Sequence, residues 1–151
     1  MWEDIWRSEV PPRREMDRAD REYRRWVQQE MRHRHLVAFL ACSPKGEVLG
    51  SGCVLLQPRG QPIPGLRVER MPYLLSMYTE PDARGTGVAS RIVSEAIHWS
   101  QGMGYRRMSL NASKMGRAMY GRLGFRRTWQ MALRLRNPST KGRSGRPGRS
   151  R

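Results

Sequence analysis

The strongest constraint on this chain lies between Tyr73 and Ser100. An apolar run from Tyr73 to Thr79 passes through Glu80-Pro81-Asp82-Ala83 into Arg84-Gly85-Thr86-Gly87-Val88-Ala89, and then into a stretch with helical spacing. The run predicts a buried strand, Pro81-Asp82 a turn, and Arg84 to Gly87 a glycine-bearing loop. Beyond it, Val88, Ala89, Ile92, Val93, Ala96 and Ile97 form the apolar stripe of an amphipathic helix, which Gly102 and Gly104 end. A strand, a glycine loop and a helix N-terminus in that order build an anion site. Gly85 and Gly87 admit backbone conformations closed to other residues, and the first N–H groups of the helix have no partner within it. Those donors, the helix dipole and the Arg84 guanidinium favour a phosphate or pyrophosphate.

Two common phosphate loops do not fit. A P-loop needs a lysine directly after its last glycine, and Val88 follows Gly87. A dinucleotide fold needs a third glycine where Ser90 stands, and an acidic residue closing the next strand.

The remaining segments place this unit in an α/β chain. From Glu15 to Met31, Met16, Ala19, Tyr23, Trp26, Val27 and Met31 recur at helical spacing, a stripe expected to pack as core. Met1 to Arg7 reads as the last turns of an earlier helix, broken by Pro11-Pro12. Leu36 to Cys42 and Glu47 to Leu56 read as an antiparallel hairpin around Ser43-Pro44-Lys45-Gly46. Gly50 and Gly52 inside its second strand predict a bend or a close neighbour. Gln57 to Met71 reads as a loop. Past the main helix, a strand from Arg107 to Ala112 leads to Ser113 as an N-cap, a short helix holding Met115, Met119 and Tyr120, and a Gly124-Phe125 turn. A final strand is expected to carry Trp129, Met131, Leu133 and Leu135 on one face.

Two separated motifs carry a family resemblance. Arg84-Gly85-Thr86-Gly87-Val88-Ala89 matches the pattern Arg/Gln-x-x-Gly-x-Gly/Ala, while Asn111-Ala112-Ser113 followed by Tyr120-Gly121-Arg122-Leu123-Gly124-Phe125 matches Asn/His-Ala-Ser then Tyr-x-x-x-Gly-Phe. With the Tyr78-Thr79-Glu80-Pro81 entry, the stretch from Leu36 to Leu135 resembles the GCN5-related N-acetyltransferases, the GNAT family. The resemblance implies a mixed central sheet with a splayed central strand and helices on both faces. It also implies an acetyl-CoA cofactor. Main-chain groups at Met77, Tyr78 and Thr79 would bind the pantetheine arm, Arg84 to Ala89 the pyrophosphate, and Asn111 with Ser113 would sit beside the arm. Tyr120 would lie near the thioester sulfur as the proton donor, a role a phenol fills at its ordinary pKa. Glu69, before the central strand, is the favoured base, with Glu80 beside the loop as the other candidate.

The resemblance also implies a reaction: acetyl transfer to a primary amine by direct attack in a ternary complex. A non-catalytic acyl-CoA-binding or nucleic-acid-associated protein is the competing function. No segment of this sequence reads as the family's first strand, which implies a truncated start, an absent edge strand, or one supplied by another copy, as in a homodimer. The domain is expected to span residues 1–135, followed by a disordered basic tail at 136–151.

Charge bears on partners. The formal net charge is +16, and Lys141, Arg143, Arg146, Arg149 and Arg151 alone carry five of the positive charges. Weak, salt-sensitive polyanion binding is expected, without base-reading motifs. Eight of the thirteen acidic residues fall within the first thirty positions. In the GNAT family the first two helices wall the acceptor side, so the resemblance implies that a cationic small-molecule or peptide amine would be drawn there, while the favoured reading of these carboxylates is a solvated helix face. Cys42 and Cys53 form no Cys-x-x-Cys and would not face each other in the hairpin. His33, His35 and His98 match no metal-ligand spacing, so no metal is expected. No apolar run approaches the length of a membrane span and no signal segment leads the chain, which points to a cytoplasmic protein.

Overall fold

The computed structural model describes residues 13–58, 70–129, 131 and 133. Glu69, the predicted helix at Met1 to Arg7, most of the Gln57 to Met71 loop, Leu135 and the tail at 136–151 lie outside them. The described elements are helix α1 (Arg13–Arg32), strands β1 (Leu36–Cys42), β2 (Val48–Pro58) and β3 (Arg70–Thr79), a 3-10 turn (Pro81–Ala83), helix α2 (Val88–Gly102), strand β4 (Ser109–Leu110) and helix α3 (Arg117–Arg122). The sheet order is β1-β2-β3-β4, antiparallel for the first two pairs and parallel for the last, which makes it mixed. Among the described residues no strand precedes α1.

The hairpin forms where the turn chemistry placed it. Ser43 N–H donates to the Glu47 carbonyl at 2.8 Å, Gly46 N–H returns to Ser43 at 2.9 Å, and Gly46 takes a φ of 86° that a side chain would resist. Cys42 pairs with Val48 and Cys53 with Ala38, so the two thiols are apart and free. The central strand starts earlier than Tyr73, because Pro72 is buried in the sheet opposite Leu56.

β3 is bent in its middle. Ser51 pairs with Tyr78 and Cys53 with Leu75, so Gly52 alone opposes both Ser76 and Met77. The extra residue is a bulge, with Ser76 at a left-handed φ of 53°. β3 and β4 pair only at Tyr73–Ser109 and Leu74–Leu110. Past Leu74 the two parallel strands diverge, which is the expected splay, and β4 is shorter than the predicted Arg107 to Ala112.

α2 is seated on the sheet by two glycines. A Cβ at Gly50 would lie 2.8 Å from the Tyr78 carbonyl oxygen and 2.9 Å from Val88 Cγ1. At Gly52 it would run into Met77 Sδ and come within 2.9 Å of Ile92 Cγ2. Both glycines therefore mark close neighbours. Val93 and Ala96 are buried in one cluster with Val54, Leu56 and Leu74, which Tyr120 of α3 joins, and the buried Ile92 lies over Gly50 and Gly52. Ser100, also buried, returns its hydroxyl to the Ala96 carbonyl at 2.8 Å. We expect Gly50→Ala to destabilise the protein by about 1–3 kcal/mol, since the clashing atom is backbone and cannot swing away. A thermal melt lowered by several degrees checks this, and an unchanged melt would contradict the close packing.

One expectation is corrected. No residue of α1 is buried: Met16, Tyr23, Trp26 and Val27 are half-covered, while Ala19 and Met31 are exposed. The helical period was right, but the stripe lies at the edge of the core. Of the predicted final strand, Gln130, Ala132, Arg134 and Leu135 lie outside the described residues. Residues 126–129 are irregular, and Trp129, Met131 and Leu133 are 98%, 94% and 83% exposed. Alternation names a face, and no described strand receives this one.

Candidate functional site

The site is assembled where the splay meets the glycine loop. Residues Tyr78 and Thr79 pair with Ser51 and Gly50 on one side of β3, and on its other side β4 has already turned away. That exposes main-chain groups of the Met77 to Thr79 segment along the gap. Met77 itself packs its sulfur over Gly52, so its side chain is structural and its backbone is what faces a ligand.

Just beyond, the chain turns through Pro81–Ala83 into the loop. Gly85 and Gly87 have φ of 78° and 90°, and a Cβ on either would meet nothing within 4 Å. The space over the loop is open. Thr86 Oγ1 donates to the Ala83 carbonyl at 2.7 Å, which braces the turn from beneath. Gly87 is the N-cap of α2 and its carbonyl accepts from Arg91 N–H at 3.0 Å. The N–H groups from Gly85 through Ser90 donate to no described residue. Six successive free donors at a helix N-terminus form a cradle for an anion with several oxygens. Arg84 is exposed, and its Nε donates to the Thr79 carbonyl at 3.2 Å, so it ties the loop to the end of β3 while its terminal nitrogens add positive charge.

On the far side of the gap, β4 delivers Asn111 and Ser113, both exposed. Ser113 Oγ accepts the Gly116 N–H at 3.2 Å, the bond an N-cap makes, although Gly116 directly precedes α3 and has no side chain to cap it. Gly116 has a packing role instead. A Cβ there would come within 2.8 Å of Tyr120 Cε2, so the glycine makes room for the ring.

Tyr120 is 9% exposed and stacks edge-on against Phe125 at 5.7 Å. Burial pushes its phenol above the usual value of 10. The group therefore stays protonated throughout the neutral range, as a proton donor must. Because the folded pKa is raised, the associated stability is complete below pH 10 and is lost as pH rises through the folded value. We expect an ultraviolet titration of the tyrosines to show one ionising above pH 10 that disappears in Tyr120→Phe. A titration in which that variant loses no late phase would show the ring to be solvated.

Of the predicted bases, Glu69 lies outside the described residues. Glu80 is exposed and accepts from the Tyr78 hydroxyl at 3.3 Å. The acidic stretch of α1 is the solvated face: Glu15, Asp17, Asp20 and Glu22 are exposed, the helix carries five carboxylates but also seven arginines, and Arg18 pairs with Glu22 at 2.8 Å. Its net charge is positive.

Sequence reasoning passed over Ser76 and Tyr23. The Tyr23 hydroxyl is hydrogen-bonded to Ser76 Oγ, joining α1 to the bulge where β3 changes direction. A serine in a left-handed conformation has no compositional signature, and Tyr23 sits within an ordinary apolar stripe, so nothing in the sequence signals the pair.

No functionally curated protein matches the chain. Among solved structures, it is similar to a predicted acetyltransferase from Clostridium acetobutylicum, determined with acetyl-CoA, with 24% identity over 84% of this chain and 79% of that one and a TM-score of 0.70. A GCN5-related N-acetyltransferase from Ralstonia eutropha is 19% identical over 88% and 86% of the two chains, with a TM-score of 0.71. An aminoglycoside 6'-N-acetyltransferase from Acinetobacter haemolyticus is 18% identical over 77% and 80%, with a TM-score of 0.60. The profile of the acetyltransferase (GNAT) family matches residues 1–125, taking in the glycine loop, the splayed strands and the Tyr120 helix together. The chain belongs to the GNAT acetyltransferase family.

Proposed function

We propose that the protein is an N-acetyltransferase that moves the acetyl group of acetyl-CoA to a primary amine by direct attack in a ternary complex. The observation that carries this reading is the run of free N–H groups from Gly85 to Ser90, opening at the mouth of the gap between β3 and β4. The loop suits a pyrophosphate and the gap suits an extended arm. When bound, acetyl-CoA supplies an activated acyl carbon to the neutral amine. The backbone of Met77, Tyr78 and Thr79 would hold the pantetheine arm, and Arg84 to Ala89 would hold the pyrophosphate. Asn111 and Ser113 line the β4 side of the arm.

Tyr120 donates its phenolic proton as the thiolate leaves; its burial keeps that proton in place at neutral pH. Glu69 takes the proton of the amine, on the strength of its position directly before β3. Catalysis in this scheme rests on residues 1–135, and the basic segment at 136–151 serves only for nonspecific attraction of polyanions.

Thiol release from acetyl-CoA, measured across a panel of polyamines, aminoglycosides and basic peptides with free N-termini, tests the reading. At least one amine should give turnover with stoichiometric acetylated product. Deleting residues 136–151 should leave that rate within about twofold while weakening DNA binding and flattening its salt dependence. Hydrolysis without transfer to any amine, or DNA binding unchanged by the deletion, would contradict the corresponding part.

A further inference from the structure

The end of α1 brings together three groups whose sequence spacing matched no metal motif. Ligand atoms of Glu30, His33 and His35 all lie within 4.8 Å of one another. The helix terminus explains how. His35 N–H donates to the Glu30 carbonyl at 2.8 Å and Arg34 N–H to the Met31 carbonyl at 3.0 Å, the paired bonds of a Schellman ending. Arg34 occupies the left-handed position with φ 59°, where glycine is the usual residue. The reversal there folds His35 back over Glu30, and its Nδ1 lies 3.1 Å from Glu30 Oε2. His33, exposed, has its ring centroid 5.7 Å from that of His35.

We infer that Glu30, His33 and His35 form a binding site for a late first-row divalent cation, zinc(II) in the first place. Two imidazoles and one carboxylate are the donor set such ions take, with a position left over. Ligand atoms around a tetrahedral zinc stand about 3.3 Å apart, as its roughly 2.0–2.1 Å bonds require. The three groups therefore need to close by up to about 1.5 Å, within the reach of side-chain rotation from a partly exposed surface. The backbone bonds hold the two ends of the site in register, so little main-chain ordering is required on binding. All three groups line one open recess of about 340 Å³, together with Trp26, Leu55, Leu56, Pro58 and Arg70, which leaves room for a further ligand. Arg70 is the adverse charge on that wall. Its Nη1 is committed to the Leu56 carbonyl at 2.8 Å, and its charge lowers the affinity expected for a cation. An ion here would clasp the end of α1, a helix with no buried residue, to the start of β1.

The test is isothermal titration of untagged full-length protein with zinc chloride, in a Cys42→Ser background because that thiol is exposed and free. One ion per chain should bind, with a raised melting temperature. His33→Ala should weaken binding about tenfold or more, and Glu30→Gln should also weaken it, while His98→Ala on α2 should not. His33 is exposed, so its loss should leave the metal-free melt unchanged and a folding defect cannot imitate the result. Copper(II) spectra should report two nitrogen ligands in the parent and one in His33→Ala. Absence of binding below millimolar zinc, or equal affinity in His33→Ala, would overturn the site and leave Glu30 and His35 as a helix-end hydrogen bond.

Discussion

Replacing Tyr120 with phenylalanine should lower turnover about a hundredfold, while acetyl-CoA affinity stays within about twofold. The variant removes one oxygen from a ring whose packing is otherwise preserved. The edge-on contact with Phe125 and the clearance over Gly116 do not involve the hydroxyl, and no described residue hydrogen-bonds it. The fold should therefore tolerate the change. The departing thiolate would lose its proton donor, and the penalty of about 3 kcal/mol falls on the transition state rather than on binding. Steady-state kinetics with saturating amine separates the two, since kcat should fall while KM for acetyl-CoA holds. Unchanged kcat would make Tyr120 a core residue that fills space under the Gly124-Phe125 turn.

The second large effect is expected at Gly87. Gly87→Glu should abolish measurable acetyl-CoA binding, a loss of at least about a hundredfold. Two physical changes act together. Any side chain at φ 90° is strained by about 1–2 kcal/mol, and a carboxylate at the N-terminus of α2 would occupy the position proposed for the pyrophosphate and repel it. Gly87→Ala separates them, because it carries the strain without the charge, and its Cβ meets nothing within 4 Å. The alanine variant should bind acetyl-CoA within about tenfold of the parent at a slightly lower melting temperature. Equal loss in both variants would assign the effect to loop conformation, and retention in both would remove the loop from the site.

The parts of this site that were legible in the sequence are those where physics restricts residue choice. A left-handed backbone position beside a ligand calls for glycine, so Gly85 and Gly87 announced the loop; Ser43-Pro44-Lys45-Gly46 announced the hairpin for a similar reason. Gly50 and Gly52 foretold a close neighbour, and α2 with Met77 supplies it. The illegible parts depend on pairing. The bulge at Ser76 arises because β2 and β3 fall one residue out of step around Gly52, and a serine does not advertise that conformation. β4 is cut to two residues because its neighbour diverges, which no local pattern encodes. Trp129, Met131 and Leu133 alternate as strand residues do, yet lie exposed, since period two specifies a face without specifying a partner. In the acid-rich start the carboxylates of α1 are outnumbered by the arginines between them, so their count alone says little about an acceptor. His33 and His35 became neighbours of Glu30 only through the turn at Arg34.

The central claim is that the glycine loop and the strand gap are a specific cofactor site and not merely a basic surface. With a net charge of +16, any polyanion has some attraction for this chain, so specificity has to be separated from charge. The most direct measurement is a thermal melt of the intact protein with acetyl-CoA, with ATP and with duplex DNA, each at low and high salt. At a hundred times its dissociation constant, acetyl-CoA should stabilise the fold by about 2.7 kcal/mol, a shift of several degrees. The account predicts that this shift survives high salt while those from ATP and DNA collapse. Equal shifts from all three ligands, erased together by salt, would contradict it.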